Sequence, residues 1–214
     1  MPATVSYDEQ YCPIARALDV LGGRWTLLIL RELTIGDQRF TDLRNNLPGI
    51  ASTLLTQRLR TMVDEGLVET KELPPPAARS VYSITRRGLE AIPVMRALAR
   101  WGMPLLEEPG DDRPIRAWTA VFAAVSTYHD PVLAIGTDEH YEFRIGDERF
   151  TLSSLSGRRR SSEHPDLVFE SDAAVWVDLR QRRLTLDQAV AAGRLVVTGD
   201  GTSLDNFRRI FELT

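Results

Sequence analysis

The hydrophobic positions in the first half of the chain recur every three to four residues, and glycine or proline interrupts them. Pro13 favours the start of a first helix, and the Gly22-Gly23 pair favours its end. The almost entirely apolar run at 25–33 predicts a buried helix. Ser52 is typical of a helix N-cap, and Gly66 is typical of a helix end. The pattern therefore predicts helices at 13–21, 25–33, 40–46 and from 52 to about 65.

The next segment has the pattern of a hairpin. Strand-like sequences at 67–73 and 80–85 flank the stretch Pro74-Pro75-Pro76-Ala77-Ala78-Arg79. A long helix at 87–106, with Pro93 as the place for a kink, follows. Two helices, a short turn, a further helix and a two-stranded hairpin are the order of a winged helix-turn-helix domain. In that fold the helix that begins at Ser52 enters the major groove of DNA.

A break in the pattern lies at 107–114, where acidic residues, two prolines and a glycine neither continue a helix nor build a strand. Beyond it, helical patterns at 115–128, 172–179 and 187–192 mix with strand patterns at 137–145, 148–155, 167–169 and 194–198. Ser203 is expected to cap a last helix that ends at Phe211. We therefore predict an α+β chain with a winged helix-turn-helix domain at 1–106, a linker at 107–114 and a sheet-and-helix domain at 115–214.

Composition indicates the cellular compartment of the protein and shows that charge is distributed unevenly along the chain. The chain has a net charge of −4, but residues 1–106 hold 13 basic and 11 acidic side chains, whereas 107–214 hold 13 and 19. DNA binding needs a basic face and not a basic protein, so the first domain remains suited to it. A single cysteine, Cys12, precludes an internal disulfide, and neither a signal peptide nor a membrane-spanning run is visible. We expect a cytoplasmic protein without membrane insertion.

The predicted recognition helix presents two contrasting faces. Leu55, Leu59, Met62 and Val63 share an inward face at helical spacing. Short hydroxyl and amide side chains remain on the outer face, where they can reach base edges, and arginines in the flanking elements can hold phosphate. The candidate DNA-binding residues are Arg39, Ser52, Thr53, Thr56, Gln57, Arg60, Arg79, Arg86 and Arg87.

Several ordered stretches carry a family resemblance. They are Cys12-Pro13-Ile14, the run from Leu21 to Leu33 that contains Gly22-Gly23-Arg24-Trp25, Arg39-Phe40, Leu47-Pro48-Gly49-Ile50, Leu55-Thr56-Gln57-Arg58-Leu59, Glu65-Gly66-Leu67-Val68 and Tyr82-Ser83-Ile84-Thr85. Together they resemble the HxlR family of bacterial regulators over about residues 11–88. The resemblance implies a homodimer, paired through the first and last helices of the domain, on double-stranded DNA with an inverted-repeat operator. It also makes Cys12 a candidate redox sensor, although a cysteine packed at the dimer interface fits the same position.

The second domain shows no catalytic constellation. His129, His140 and His164 lack metal-ligand spacing and are expected at the surface. The basic turn Gly157-Arg158-Arg159-Arg160 is expected to be solvated. We therefore expect neither an enzyme nor a bound cofactor or metal.

The end of the chain has a second resemblance. Asp172-Ala173-Ala174, Leu184-Thr185-Leu186-Asp187-Gln188-Ala189 and Gly193-Arg194-Leu195-Val196-Val197-Thr198-Gly199-Asp200 resemble the sterol carrier protein type 2 fold. The resemblance implies a pocket for a hydrophobic or acyl small molecule. Its candidate lining residues, which plain core packing also explains, are Trp118, Phe122, Tyr141, Phe143, Phe150, Trp176 and Phe207.

Three hypotheses follow from these patterns. The first is a dimeric DNA-binding regulator whose second domain senses a hydrophobic small molecule. The second keeps the DNA-binding role and makes Cys12 a thiol-based sensor. The third is a lipid carrier in which the winged helix serves for dimerisation.

Overall fold

The computed structural model describes Tyr7 and residues 10–73, 79–106, 115–159 and 162–213, with the backbone alone at Arg79. The chain divides into two compact units, 1–92 and 93–214. The expected linker at 107–114 lies outside the described residues, and the division between the units comes before it.

Four helices precede the hairpin in the first unit, with bounds close to those predicted. They are α1 (Pro13–Leu21), α2 (Thr26–Leu33), α3 (Phe40–Asn46) and α4 (Ser52–Asp64). Ile29, Leu30, Leu43, Leu55 and Leu59 form its core and are almost completely inaccessible to solvent. These apolar side chains come from three different helices, so their burial holds the helices together.

Three details of this unit differ from the prediction. Ser52 is the first residue of α4 and not its cap, because Ala51 holds the extended backbone of the N-cap position. Val63 is exposed instead of facing the core. The apolar run of α2 is only partly buried, since Leu28 is also exposed. Helical spacing identifies a face, but the width of the buried stripe depends on what packs against it.

The hairpin consists of β1 (Val68–Leu73) and β2 (Arg79–Ile84), which pair antiparallel from Val68 opposite Ile84 to Leu73 opposite Arg79. Its connecting residues, 74–78, lie outside the described part of the chain. Gln38, just before α3, joins the sheet through two backbone hydrogen bonds with Tyr82, of 3.0 and 2.7 Å. The hairpin is therefore hydrogen-bonded to the segment that precedes α3.

The prediction of a single long helix at 87–106 is wrong. The structure has a short helix α5 (Arg86–Leu89), a break at Glu90 and Ala91, and then α6 (Ile92–Gly102) with a 3-10 turn at Met103–Leu105. Pro93 lies in the first turn of α6, where its missing N–H has no helical partner to lose. Pro93 thus opens a new helix instead of bending an existing one.

The second unit is a four-stranded sheet with helices. Its elements are α7 (Ala117–Ala124), β3 (His140–Ile145), β4 (Glu148–Ser153), β5 (Leu167–Ser171), α8 (Ala173–Arg180), α9 (Leu186–Ala191), β6 (Leu195–Gly199) and α10 (Gly201–Ile210). The strand order is β4-β3-β5-β6, with β3 and β5 parallel and the other two pairs antiparallel. The α+β class is confirmed. Asp200, and not Ser203, caps α10, since its carboxylate accepts the N–H of Ser203 at 2.9 Å.

Candidate nucleic-acid interface

The outer face of α4 is polar and accessible. Ser52, Thr53, Thr56, Gln57 and Arg60 are all exposed, as the sequence predicts. The Thr56 hydroxyl donates to the backbone carbonyl of Ser52 at 2.9 Å, which fixes that side chain close to the helix. The opposite face, with Leu55, Leu59 and Met62, is buried. The helix therefore rests on the core by one side and leaves its hydrogen-bonding groups in solvent.

A shallow groove runs between α4 and the hairpin. Thr53, Thr56, Gln57 and Arg60 line one wall, and Thr70 and Tyr82 belong to the other. Thr70 and Tyr82 are direct antiparallel partners, so both side chains lie on the same face of the hairpin. Sequence reasoning missed these two residues, although strand alternation across the hairpin was a usable signal for them.

Arg39, Arg86 and Arg87 lie outside the lining of that groove, and the side chain of Arg79 lies outside the described part of the chain. Arg39 is exposed at the N-cap of α3, where its backbone N–H donates to Asp42 at 3.2 Å. Arg86 and Arg87 are exposed at the start of α5, and Arg87 comes within 3.9 Å of Glu65. Arg79 begins β2. These cations are spread over three elements, an arrangement that suits contacts with a backbone of phosphates.

The turn before α2 helps to hold α4 in place. Arg58 of α4 packs over Gly23, where an added Cβ would lie 2.3 Å from its Nη1. Trp25, which precedes α2, adopts a left-handed backbone with φ of 79°. A non-glycine residue takes this conformation only where its surroundings impose it.

Cys12 occupies the N-cap position of α1, where its side chain is partly exposed and makes no capping hydrogen bond. The structure places it at the helix N-terminus expected from Pro13. Its redox role stays a prediction.

The seven candidate pocket residues of the second unit come together as packed core. Each is at most 6% exposed, and the centroids of neighbouring rings among them lie 5.0 to 6.4 Å apart. Tyr141 donates to Glu139 at 2.6 Å, and burial together with that carboxylate raises the pKa of the phenol far above its usual value. An open concavity of this unit lies elsewhere, between α9, β6 and the start of α10, where Val190, Val197, Leu204 and Arg208 contribute to it.

Two surface expectations in the second unit are wrong. His129 is buried, and its Nε2 lies 2.7 Å from the carbonyl oxygen of Ser154. Burial lowers its pKa, and the nearby Arg96 lowers it further. Arg158, expected in a solvated turn, is half-buried. His129 contacts residues far away in the chain, among them Arg96 and Phe211, which a local pattern does not reveal. His140 is half-buried and His164 is exposed.

The described residues contain neither a candidate metal site nor a candidate membrane-spanning helix. Within those ranges, no group of three or more His, Cys, Asp and Glu side chains is arranged to hold a metal ion. Among the same residues, no helix combines the length and the apolar character that crossing a bilayer requires.

Comparison with known proteins identifies both parts of the chain. The HxlR-like helix-turn-helix family matches residues 20–109, and the SCP-2 sterol transfer family matches residues 130–212.

The HTH-type transcriptional regulator sll1512 of Synechocystis sp. is 38% identical over 45% of this chain and 72% of its own length. YvaP of Bacillus subtilis, also an HTH-type transcriptional regulator, is 32% identical over 44% of this chain and 88% of its own. Reduced YodB from B. subtilis, a solved transcriptional regulator, is 30% identical over 48% of this chain and 100% of its own, with a TM-score of 0.40. The chain belongs to the HxlR-like helix-turn-helix family of transcriptional regulators, and it carries a segment of the SCP-2 sterol transfer type behind that domain.

Proposed function

We propose that the protein is a homodimeric regulator that reads double-stranded DNA with α4 in the major groove. The observation that carries the proposal is the groove in which the exposed polar face of α4 meets Thr70 and Tyr82 of the hairpin. Hydroxyl and amide groups on a helix that fits the major groove are the side chains that distinguish one base pair from another.

Within this proposal the residues divide by the part of DNA they contact. Gln57 is suited to adenine through a bidentate pair, and Ser52, Thr53 and Thr56 offer shorter donors and acceptors. Phosphate contacts fall to the cations around α4, which fix the register without reading sequence. Those cations are Arg39, Arg60, Arg79, Arg86 and Arg87.

Dimerisation is supported by apolar side chains left in solvent on the first and last helices of the family domain. Ile14 and Leu18 are exposed on α1. Val94, Leu98 and Trp101 are exposed on α6, and Leu105 continues their stripe at helical spacing. Stripes of this kind mark contact surfaces more often than solvated ones. A twofold dimer would place two copies of α4 on an inverted-repeat operator.

The SCP-2 match supports a role for the second unit as sensor of a hydrophobic or acyl small molecule. Such a ligand changes DNA affinity only if it binds the DNA-competent and the incompetent dimer differently. The protein is proposed to act as a non-enzymatic switch in which the ligand is the signal.

Cys12 provides the alternative signal. Its partial exposure at the N-terminus of α1 is the observation that favours it, because a sensing thiol has to be accessible to the oxidant. Under this alternative, Cys12→Ser keeps basal DNA affinity and loses the response to diamide. An undiminished diamide response in the variant excludes the thiol as sensor.

The decisive experiment is fluorescence anisotropy of the full chain on labelled DNA from upstream of its own gene, with a scrambled duplex as control. We expect saturable binding that prefers the upstream DNA and weakens as salt rises. Arg60→Ala should reduce the affinity, whereas Arg149→Ala removes an exposed charge from the second unit and should not. Equal binding to both duplexes over all upstream fragments would contradict the proposal and favour the lipid-carrier hypothesis.

A further inference from the structure

A cluster of cations lies inside the second unit, where α6, the segment after α7 and the turn after β4 meet. Arg96 of α6 donates from Nη2 to the backbone carbonyl of Ser156 at 3.0 Å. Its Nη1 lies 3.4 Å from Nδ1 of His129. The guanidinium is therefore held from two sides by residues 33 and 60 positions along the chain.

The hydrogen bonds of His129 show that this ring brings no compensating charge. Its Nε2 faces the carbonyl oxygen of Ser154, which can only accept, so Nε2 carries the hydrogen. Nδ1 is then the acceptor for Arg96, and the imidazole is neutral. Protonation of Nδ1 would set two positive groups against each other.

Arg158 directly follows Gly157, whose backbone lies against Arg96 and His129, and it adds a second guanidinium to this turn. Its side chain is half-buried. Its Nε is inaccessible to solvent and has no hydrogen-bond partner among the described residues, and the same holds for the Nε of Arg96. Burial, followed by the charges of Arg100 and Arg158, lowers the pKa of Arg96 to about 10. Throughout the described residues, no carboxylate pairs with Arg96 or Arg158.

Gly157 allows the turn to approach this closely. Its φ is 58°, and a Cβ at this position would lie 2.5 Å from the Cβ and Cγ of His129 and 2.9 Å from Nη2 of Arg96. The backbone of the turn thus sits directly against both partners, and a side chain here would separate them.

Half-buried cations that no described carboxylate pairs are unfavourable, and this chain pairs arginines in other places. Arg100 lies 3.5 Å from Glu212, and Arg144 contacts both Glu142 and Glu170. We propose that Arg96 and Arg158 form a binding site for the carboxylate or phosphate oxygens of a small anionic ligand. Arg96 is already fixed by its two contacts, and the planar guanidinium of Arg158, whose Nε has no partner among the described residues, suits the two oxygens of such a group.

The surroundings indicate which anions suit the site. The ring of Phe211 lies 5.5 Å from that of His129, so apolar core begins directly behind the cluster. An amphipathic acid, with its oxyanion on the arginines and its apolar chain directed towards this core, suits this boundary. This rests on the proposed ligand-sensing role of the second unit and assigns the polar end of the ligand to a definite place.

The test measures thermal stabilisation of the full chain by decanoate, by inorganic phosphate and by the neutral decanol, at constant ionic strength. We expect decanoate to raise the Tm saturably and decanol to have little effect. Arg158→Gln should weaken decanoate binding about tenfold, the scale of one lost charge-assisted pair. Arg159→Gln, which removes the exposed neighbouring charge, should leave it unchanged. A response to phosphate as well would identify a free anion as sufficient, and a response to decanoate alone would identify the acyl acid.

A second measurement separates binding from folding. Without added anion, Arg158→Gln should be as stable as the unmodified protein or more stable, because it removes a half-buried cation that no described carboxylate pairs. A fall in Tm without anion, equal losses in Arg158→Gln and Arg159→Gln, or equal effects of decanol and decanoate would each overturn the site. DNA anisotropy on the same variants without anion reports the proposed regulator function separately, since Arg158 has no part in the DNA groove.

Discussion

Gly88 packs so closely against Leu67 that an added Cβ would lie 2.2 Å from the Leu67 carbonyl oxygen. The same carbonyl accepts the N–H of Thr85 at 3.1 Å, and the Thr85 hydroxyl caps α5 by accepting the N–H of Gly88. The start of α5 is thereby locked to the start of the hairpin.

This contact predicts the effect of Gly88→Ala. The methyl group meets backbone and cannot be relieved by turning a side chain, so we expect a loss of about 1–3 kcal/mol in unfolding free energy. Urea denaturation followed by circular dichroism measures it. Gly102→Ala is the control, since nothing lies within 4 Å of the added atom there. Equal stabilities of the two variants would show that the backbone yields at little cost.

Gln57 and Arg60 should differ in what they contribute to DNA binding. Gln57→Ala should lower the preference for one base pair of the operator by about 1–3 kcal/mol. Arg60→Ala should weaken all duplexes similarly and reduce the salt dependence, by about 0.9 in the log–log slope, if its partner is a phosphate. Anisotropy titrations on operator and point-mutated duplexes at several salt concentrations distinguish the two patterns. If Arg60→Ala instead lowered the preference for one base pair, Arg60 would contact a base and not a phosphate.

His129 should make stability depend on pH. Because burial lowers its pKa in the folded protein, the unfolded chain binds the proton more tightly. Stability should therefore be full above about pH 6.5, the unfolded value, and fall as the pH drops below it. Thermal unfolding from about pH 5 to 8 should show this slope, and His129→Gln should flatten it. The exposed His164→Gln serves as control and should retain the slope.

The apolar stripe on α6 should govern the oligomeric state. Leu98→Glu combined with Trp101→Glu places charges where we propose the partner subunit packs, so the dimer should dissociate to monomers. Light scattering after size exclusion measures the mass. Val196→Glu changes an equally accessible apolar residue on the edge strand β6 and should remain dimeric. A double variant that stays dimeric would place the interface elsewhere.

Local pattern predicted most helices and strands of this chain, because apolar spacing and the positions of proline and glycine are properties of short segments. It failed at the caps. Ala51 and Asp200 hold those positions although Ser52 and Ser203 have suitable side chains, since the first extended residue and not the side chain defines the cap.

The exposed face of α4 was also predictable, because burial of Leu55 and Leu59 fixes what remains outside. The groove partners Thr70 and Tyr82 required the pairing of two strands. The burial of His129 had no local signature at all. It arises from neighbours that lie dozens of residues away, and a polar side chain in the sequence carries no mark of such a neighbour.

The helix α6 ends the family domain in sequence, yet it packs with the second unit, where Arg96 and Arg100 reach the carbonyls of Ser156 and Thr127. A fragment that ends at the expected linker, 107–114, would keep α6 but lose the carbonyls of Ser156 and Thr127. Arg96 and Arg100 would then have no acceptors, on a helix that we propose joins the subunits. The two halves look separable along the sequence, but the proposed dimer helix is anchored in the carrier-like half. A ligand that shifts that half would therefore also move the helix that we propose pairs the subunits.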